Sequence, residues 1–298
     1  MNLYSQIAGN KRKTIVIMVF FVLFVAMVGY IFGEAQGGYG RNWLFLALVF
    51  STLTSLGSYF YGDRLVLAMN SARPADKKKD FHFYTVTENL CIAAGLSMPK
   101  LYVIESPALN AFATGRDPAH SVVCATRGLL ERLDRSDIEG VVAHELSHIK
   151  NFDVRLMLII AVLVGVVAYM ADFFMRSLWW GGRSRDDKNR GGGIFLLIGI
   201  VVALVTPLIA ILIQLAISRR REYLADASGI LLTRNPEGLA DALEKIKNDN
   251  ESLNSANHGT AHLFISNPFK NKKISNWVTN LFNTHPPIAE RIRILRSM

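Results

Sequence analysis

The chain has 298 residues, room for one large or two small domains, and its 51% apolar and 19% charged residues are too apolar a balance for an ordinary soluble protein. Two cysteines, Cys91 and Cys124, do not make a disulfide framework and lack metal-ligand spacing. The net charge of +9 gathers beside apolar segments, at Lys11, Arg12 and Lys13, at Lys77, Lys78 and Lys79, and at Arg219, Arg220 and Arg221; with no nucleic-acid motif, this fits an anionic membrane surface and excludes a nucleic-acid partner.

In chain order, the first apolar segment is 14–33 and the second 43–61. Each is long enough as a helix to cross about 30 Å of hydrocarbon. The first is longer than a signal-peptide core and lacks a clear cleavage pattern, so it reads as a retained anchor. The basic residues before it, against one acid and one base in 34–42, place the N-terminus in the cytoplasm. Two crossings then return the chain to the cytoplasm near Gly62. Residues 64–80 read as a polar connector and 84–94 as a helix stopped by Gly95. Residues 100–104, 110–114 (closed by Gly115) and 121–125 read as strands, and 127–133 and 137–150 as helices. A small sheet beside a helix suits an extended peptide, because an exposed strand edge can pair with substrate main chain.

The third apolar segment, 156–175, is broken only by Asp172, which is expected at the membrane interface. The loop 176–190 is basic. The fourth segment, 194–217, is uncharged and contains Pro207, a kink or an irregular stretch. Helices are expected at 218–232, 236–248 and 286–296, with a polar loop at 250–259. The expected fold is a mostly α integral membrane protein: four transmembrane helices plus an α+β domain with a small β-sheet. The expected division is a transmembrane hairpin 1–61, the first part of a cytoplasmic domain 62–155, a second hairpin 156–217 and the second part of the domain 218–298.

The chemistry starts at His144-Glu145-Leu146-Ser147-His148. Residues four apart share a helix face, so both imidazoles can reach one metal ion. Asp137, or Ser136 before it, is a candidate cap for this helix, and Ile138, Val141, Val142 and Ile149 give it an apolar stripe. Zinc lowers the pKa of a water it holds from about 16 toward about 7, and Glu145 is placed to take that proton. A catalytic zinc needs a third protein ligand and an open position. Glu222 can supply the ligand, and Asp226, one turn later, can accept the free N–H of a zinc-bound histidine. His258 and His262 are also four apart, but no acid supports them and they are expected in solvent; His82 and His120 have no supporting pattern. A structural zinc site would close its fourth position with another Cys or His, so an intact Glu145 favours catalysis over a non-catalytic membrane scaffold with structural zinc. A transporter would need several ionisable groups within the spans, and only Asp172 is present.

Residues 144–153 resemble the active-site segment of the HtpX membrane zinc endopeptidases, relatives of the CAAX prenyl protease. Residues 110–115 look like that family's substrate-edge motif, 221–226 like its third-ligand segment, and Thr284-His285-Pro286-Pro287 with Arg291-Ile292 like its C-terminal motif. The resemblance covers nearly the whole chain. It implies one Zn2+ held by His144, His148 and Glu222, Glu145 as general base, and Asp226 orienting a histidine. It further implies His285 and Arg291 stabilising the oxyanion, with a structural cap beside Pro286 as the alternative for His285. Asn110 and Ala113 would bind substrate main chain, or form an ordinary edge strand. The implied protein is a multi-pass enzyme of the cell's inner or plasma membrane, its catalytic domain facing the cytoplasm, that cleaves misfolded or damaged membrane proteins under stress. Its partners are unfolded or membrane-protein substrates and the bilayer, with membrane-embedded regulators or a second copy also admitted.

Overall fold

The computed structural model describes residues 3–35, 38–181, 219–253, 256, 260–269 and 286–298. Three long helices carry the first three apolar segments: α1 (Leu3–Ala35), α2 (Gly40–Met69) and a later helix, Asp153–Gly181. Each contains a stretch long and apolar enough to cross a membrane. All three overrun the apolar segments, because their polar ends continue the helix into the rest of the protein. The fourth segment, 194–217, and the basic residues from Arg183 to Arg190 lie outside the described residues.

Between helices in lipid there is little hydrophobic drive, so close fit must do the work. Gly29 lets α1 approach α2 so nearly that a Cβ there would lie 2.5 Å from the Cβ of Ala47. On α2, Ser51, Ser55, Ser58 and Gly62 recur at helical spacing and are buried. The hydroxyls of Ser51 and Ser58 donate to carbonyls of their own helix, Ala47 and Ser55. Ile17, Phe21, Val25 and Val28 of α1 pack on Leu156, Ile159, Ile160, Leu163 and Val167.

One level across these helices is marked by cations on aromatic rings. Lys11 lies 4.3 Å from the Phe152 ring centre and Arg155 4.8 Å from it. Arg155 also lies 5.5 Å from Tyr59, Arg116 5.4 Å from Phe60 and Arg64 5.6 Å from Tyr61. Such rings and cations sit where hydrocarbon meets water. The start of α1, the end of α2 and the start of the third long helix therefore share one side, with the globular part.

That part begins with β1 (Arg73–Pro74) and α3 (Phe81–Ala94). α3 starts earlier than 84–94 suggests and stops at Gly95, whose φ of +65° turns its own N–H and that of Leu96 back to the carbonyls of Ile92 and Cys91. β2 (Lys100–Ile104), β3 (Ala111–Asp117) and β4 (His120–Thr126) complete a mixed sheet in the order β1-β2-β4-β3, with β2 parallel to β4 and the other pairs antiparallel. β1 was not foreseen: two residues with a proline read as connector, and only pairing with Tyr102 and Val103 makes them a strand. Gly115 does not close β3 as expected. Its φ of +139° and a register shift before Asp117 make a bulge through which the strand continues.

Then follow α4 (Arg127–Arg132), α5 (Arg135–Lys150), α6 (Asp153–Gly181, the third long helix), α7 (Arg219–Thr233), α8 (Pro236–Asn248), a short turn of 3-10 helix (Ala261–Leu263) and α9 (Ile288–Leu295). The cap of α5 is Asp134, not Ser136 or Asp137. Asp134 accepts the Asp137 N–H at 3.0 Å, and Asp137 accepts the Asp134 N–H at 3.2 Å. Lys245 of α8 neutralises both acids. The expected stripe of Ile138, Val141, Val142 and Ile149 is buried, but every residue from Gly140 to Ile149 is buried too, so α5 is a central helix rather than an amphipathic one. Its core joins Phe83 and Leu90, Val123, Leu146, and Leu243 and Leu295 from beyond the membrane segments.

At the crossing of α5 and α8 a Cβ on Gly140 would lie 2.6 Å from the backbone nitrogen of Leu239. Gly140→Ala is therefore expected to destabilise the protein by roughly 1–3 kcal/mol through overpacking. Gly9→Ala, where nothing lies within 4 Å, should leave stability unchanged or slightly raised. Thermal unfolding of the two variants in detergent measures the difference.

Candidate metal centre

α5 carries His144 and His148 one turn apart on one face, and α7 crosses behind with Glu222 in its first turn. The two Nε2 atoms are 3.2 Å apart, His144 Nε2 is 3.7 Å from Glu222 Oε2, and His148 Nε2 is 3.5 Å from Glu222 Oε1. Two ligands about 2.1 Å from a tetrahedral ion stand about 3.4 Å apart, so this spacing suits one zinc-sized cation. All three side chains are buried, and their ligand atoms lie within 4.8 Å of one another.

Each histidine is held from behind by a carboxylate. Asp226 lies 2.9 Å from His144 Nδ1. Asp153, which the sequence reading did not assign, lies 3.0 Å from His148 Nδ1. With both Nδ1–H groups donated outward, both Nε2 lone pairs point at the same spot beside Glu222, and three converging acceptors without a cation would repel. Only Asn151 and Phe152 separate α5 from α6. Phe152 takes a φ of +58°, uncommon for a bulky residue, and this sharp turn folds Asp153 back under His148.

Both carboxylates are themselves held. Arg291 of α9, fully buried, grips Asp226 with two bonds, Nε to Oδ2 at 2.9 Å and Nη2 to Oδ1 at 2.6 Å. Asp153 receives the Asn10 side-chain amide at 2.7 Å, and Arg221 lies 3.7 Å from it. The same amide donates to the Asn151 carbonyl at 3.0 Å. Asn10 belongs to α1, so a membrane helix takes part in the support of a ligand. Nothing in the sequence pairs positions so far apart; the only signal is a polar residue just ahead of the basic cluster at the first span.

The charges explain the titration behaviour. Burial pushes His144 down, and the charges of Arg291 and His148 add to this, against the hydrogen bond and charge of Asp226. His148 is also disfavoured by burial, but Asp153, Glu222 and Glu145 outweigh it and hold it up at about 9. Burial raises Glu145 to about 7, with Glu222 adding to it, and His148, the hydrogen bond from the Ala113 backbone and Arg291 opposing. Asp226 is buried too, yet Arg291 and His144 bring it down to about 2. Among the described residues, the buried carboxylates of Glu145, Asp153, Glu222 and Asp226 face the guanidinium groups of Arg221 and Arg291. A divalent cation balances this excess and favours the deprotonated form of every ligand.

Asn110 is buried, and its amide pairs with the Ser266 backbone, donating to the carbonyl at 2.9 Å and accepting from the N–H at 3.3 Å. The Ala111 carbonyl accepts the Ile265 N–H at 3.0 Å. This end of the β3 edge is therefore covered by the chain itself. Ala113 faces Glu145 through its backbone. Arg291 lies behind Asp226 and 3.7 Å from Glu222. His285 and His258 lie outside the described residues. His262 is not in solvent as expected: it is buried and its Nε2 lies 3.1 Å from the Met157 carbonyl, because Leu253, Leu263 and Phe264 draw this segment onto α6. Cys91 and Cys124 are buried free thiols, and burial holds Cys91 up at about 11.

Residues 78–298 match Peptidase family M48. Over 99% of its length the chain is 44% identical to a protein named Protease HtpX homolog from Caldanaerobacter subterraneus subsp. tengcongensis, of which it covers 98%. It is 40% identical, over the same share, to one so named from Ligilactobacillus salivarius, of which it covers 100%. The crystal structure of S. mikatae Ste24p is similar in fold, with a TM-score of 0.51 over 98% of this chain and 67% of that one, at 19% identity.

Substituting Asn10→Leu removes the amide while keeping side-chain size. Loss of such an outer partner is expected to lower zinc affinity roughly 10–100-fold, read by metal content after dialysis against graded chelator. Thr14→Val, which removes only a hydroxyl bonded to the Asn10 carbonyl, should leave retention unchanged.

Proposed function

The chain belongs to Peptidase family M48 as an HtpX homologue, and from that premise we propose that it is a zinc-dependent membrane endopeptidase that hydrolyses peptide bonds of misfolded or damaged membrane proteins. The observation that carries this reading is the convergence of His144, His148 and Glu222 with Glu145 beside them and, among the described residues, no fourth protein ligand in the group. These three residues would hold one Zn2+, which when bound supplies Lewis acidity toward a water and toward the scissile carbonyl.

The chain's own groups do the rest. Glu145, held near neutrality in its buried setting, accepts a proton from the attacking water and passes it to the leaving amine. Asp226 and Asp153 fix the rings of His144 and His148. Arg291 secures Asp226, and its charge, 3.7 Å from Glu222 behind the ligands, would act through them on the charge that develops on the substrate oxygen. His285, matching the family's histidine-proline motif, would donate to the same oxygen. Substrate main chain would pair with β3 from Ala113 onward, since Ile265 and Ser266 already cover the edge at Ala111 and Asn110.

Membrane-proximal substrates are supported by position. α5 ends just before α6 enters its apolar stretch, and Asn10 of α1 reaches the same corner. The catalytic unit would comprise 62–155 and 218–298, with membrane hairpins at 1–61 and 156–217. The basic residues Lys11, Arg12 and Lys13 support a cytoplasmic location for it, in a cell's inner or plasma membrane.

Glu145→Gln keeps the shape of the side chain and removes the base. It is expected to lower cleavage of an unfolded model protein by roughly 100–10,000-fold while the purified protein still holds about one zinc per chain. Unchanged cleavage would remove the role given to Glu145. No cleavage by zinc-loaded wild type in a bilayer would favour a scaffold with structural zinc.

A further inference from the structure

A cleft of about 280 Å³ that shares no lining residue with the metal centre opens where α2 leaves its apolar stretch and meets β2, β3 and β4. Its rim carries Arg64, Lys100 and Arg116, with Asp63 as the acid among the lining residues. Among the described residues neither Arg64 nor Lys100 forms an ion pair, and both are exposed. Arg116 pairs with Asp117 at 3.5 Å, and Asp117 shares its charge with His120, accepting from its backbone and ring at 2.8 Å, while Arg64 and Lys100 supply the uncompensated cations. The cleft is thus a concave surface with surplus positive charge.

Its place on α2 says what kind of anion fits. Leu46, Phe50, Leu53 and Phe60 are exposed large apolar residues at helical spacing, and Arg64 lies one turn beyond Phe60 on the same face. That stripe belongs to a candidate span and is exposed among the described residues, so it is open to acyl chains. It leads directly to the cleft, at the level where Arg64 lies over Tyr61 and Arg116 over Phe60. A soluble anion would use the cations and have no use for the stripe. A zwitterionic headgroup would bring its ammonium against Arg64 and Lys100. A lipid with a phosphate and no compensating cation suits both parts at once.

We propose that this cleft binds the headgroup phosphate of an anionic phospholipid, between Arg64, Lys100 and Arg116, with the acyl chains lying along the Leu46–Phe50–Leu53–Phe60 face of α2. Arg116 connects the site to the rest of the fold, because its carbonyl accepts from Arg155 of α6 beside the metal-bearing corner. The bound lipid would thereby fix the height at which the globular part sits on the bilayer.

The test uses the full chain in phosphatidylcholine vesicles containing a minority of phosphatidylglycerol, followed by gentle extraction and native mass spectrometry of the retained lipid. Phosphatidylglycerol should be enriched over its share in the vesicle. The pair Arg64→Gln with Lys100→Gln should cut that enrichment by roughly tenfold, and Arg116→Gln, an independent variant, should lower it as well. Lys77→Gln with Lys78→Gln, the same charge change on the exposed connector, should not. Equal loss in that control pair would overturn the site in favour of general surface attraction. Displacement by inorganic phosphate alone would assign the cleft to a soluble anion, and displacement by an acidic peptide to a polypeptide; either overturns the proposal. Retention is read without turnover, so its failure is separate from any failure of the peptidase reading.

Discussion

Everything near the centre of this protein answers to one electrostatic problem: too many carboxylates are buried in one place. Glu145, Asp153, Glu222 and Asp226 lie within the same desolvated region. Isolated ionised carboxylates there would cost several kcal/mol each. Arg291 and Arg221 meet part of the excess, the two imidazoles donate hydrogen bonds to the carboxylates behind them, and a cation among the ligands would complete the balance. The precision of the metal site is a by-product of this requirement. Each group that neutralises a charge also fixes the angle of its neighbour.

The same requirement ties the membrane helices to the chemistry. Asn10 would be costly in an apolar helix without a partner, and its partners are the Asn151 carbonyl and Asp153. A hydrogen bond to a charged acceptor contributes about 1.5–3 kcal/mol. It is formed only when α1 and the start of α6 are packed together, as Ile17, Phe21 and Leu156 also require. The spans are therefore not merely an anchor for a separate catalytic unit. The corner made by Phe152 and Asp153 is at once the end of the zinc-site helix, the start of a membrane helix and the support of His148.

The sheet has a comparable double use. Its edge strand β3 brings Ala113 to Glu145, yet the chain covers the adjoining end with Ile265 and Ser266. An exposed edge invites unwanted pairing, and covering part of it leaves a shorter stretch open. The amide of Asn110 makes this cover possible by pairing with Ser266 as a backbone peptide would.

Local patterns were enough to recognise much of this. The i, i+4 spacing of His144 and His148, the pairing of Glu222 with Asp226 on one turn and the long apolar segments each depend on neighbours in sequence, so the ligands and the three described candidate spans were legible without a structure. Helix ends were less so. Asp134 rather than Asp137 caps α5, since both are acids and only the partner bonds tell them apart. What the chain alone could not disclose were contacts between distant positions: Asp153 under His148, Asn10 on Asp153, Arg291 on Asp226, and the burial of His262 against α6. The reason is physical. Side-chain periodicity encodes which face of an element is apolar, but a buried charge chooses its partners only after packing has removed water, and that choice is made by the tertiary structure.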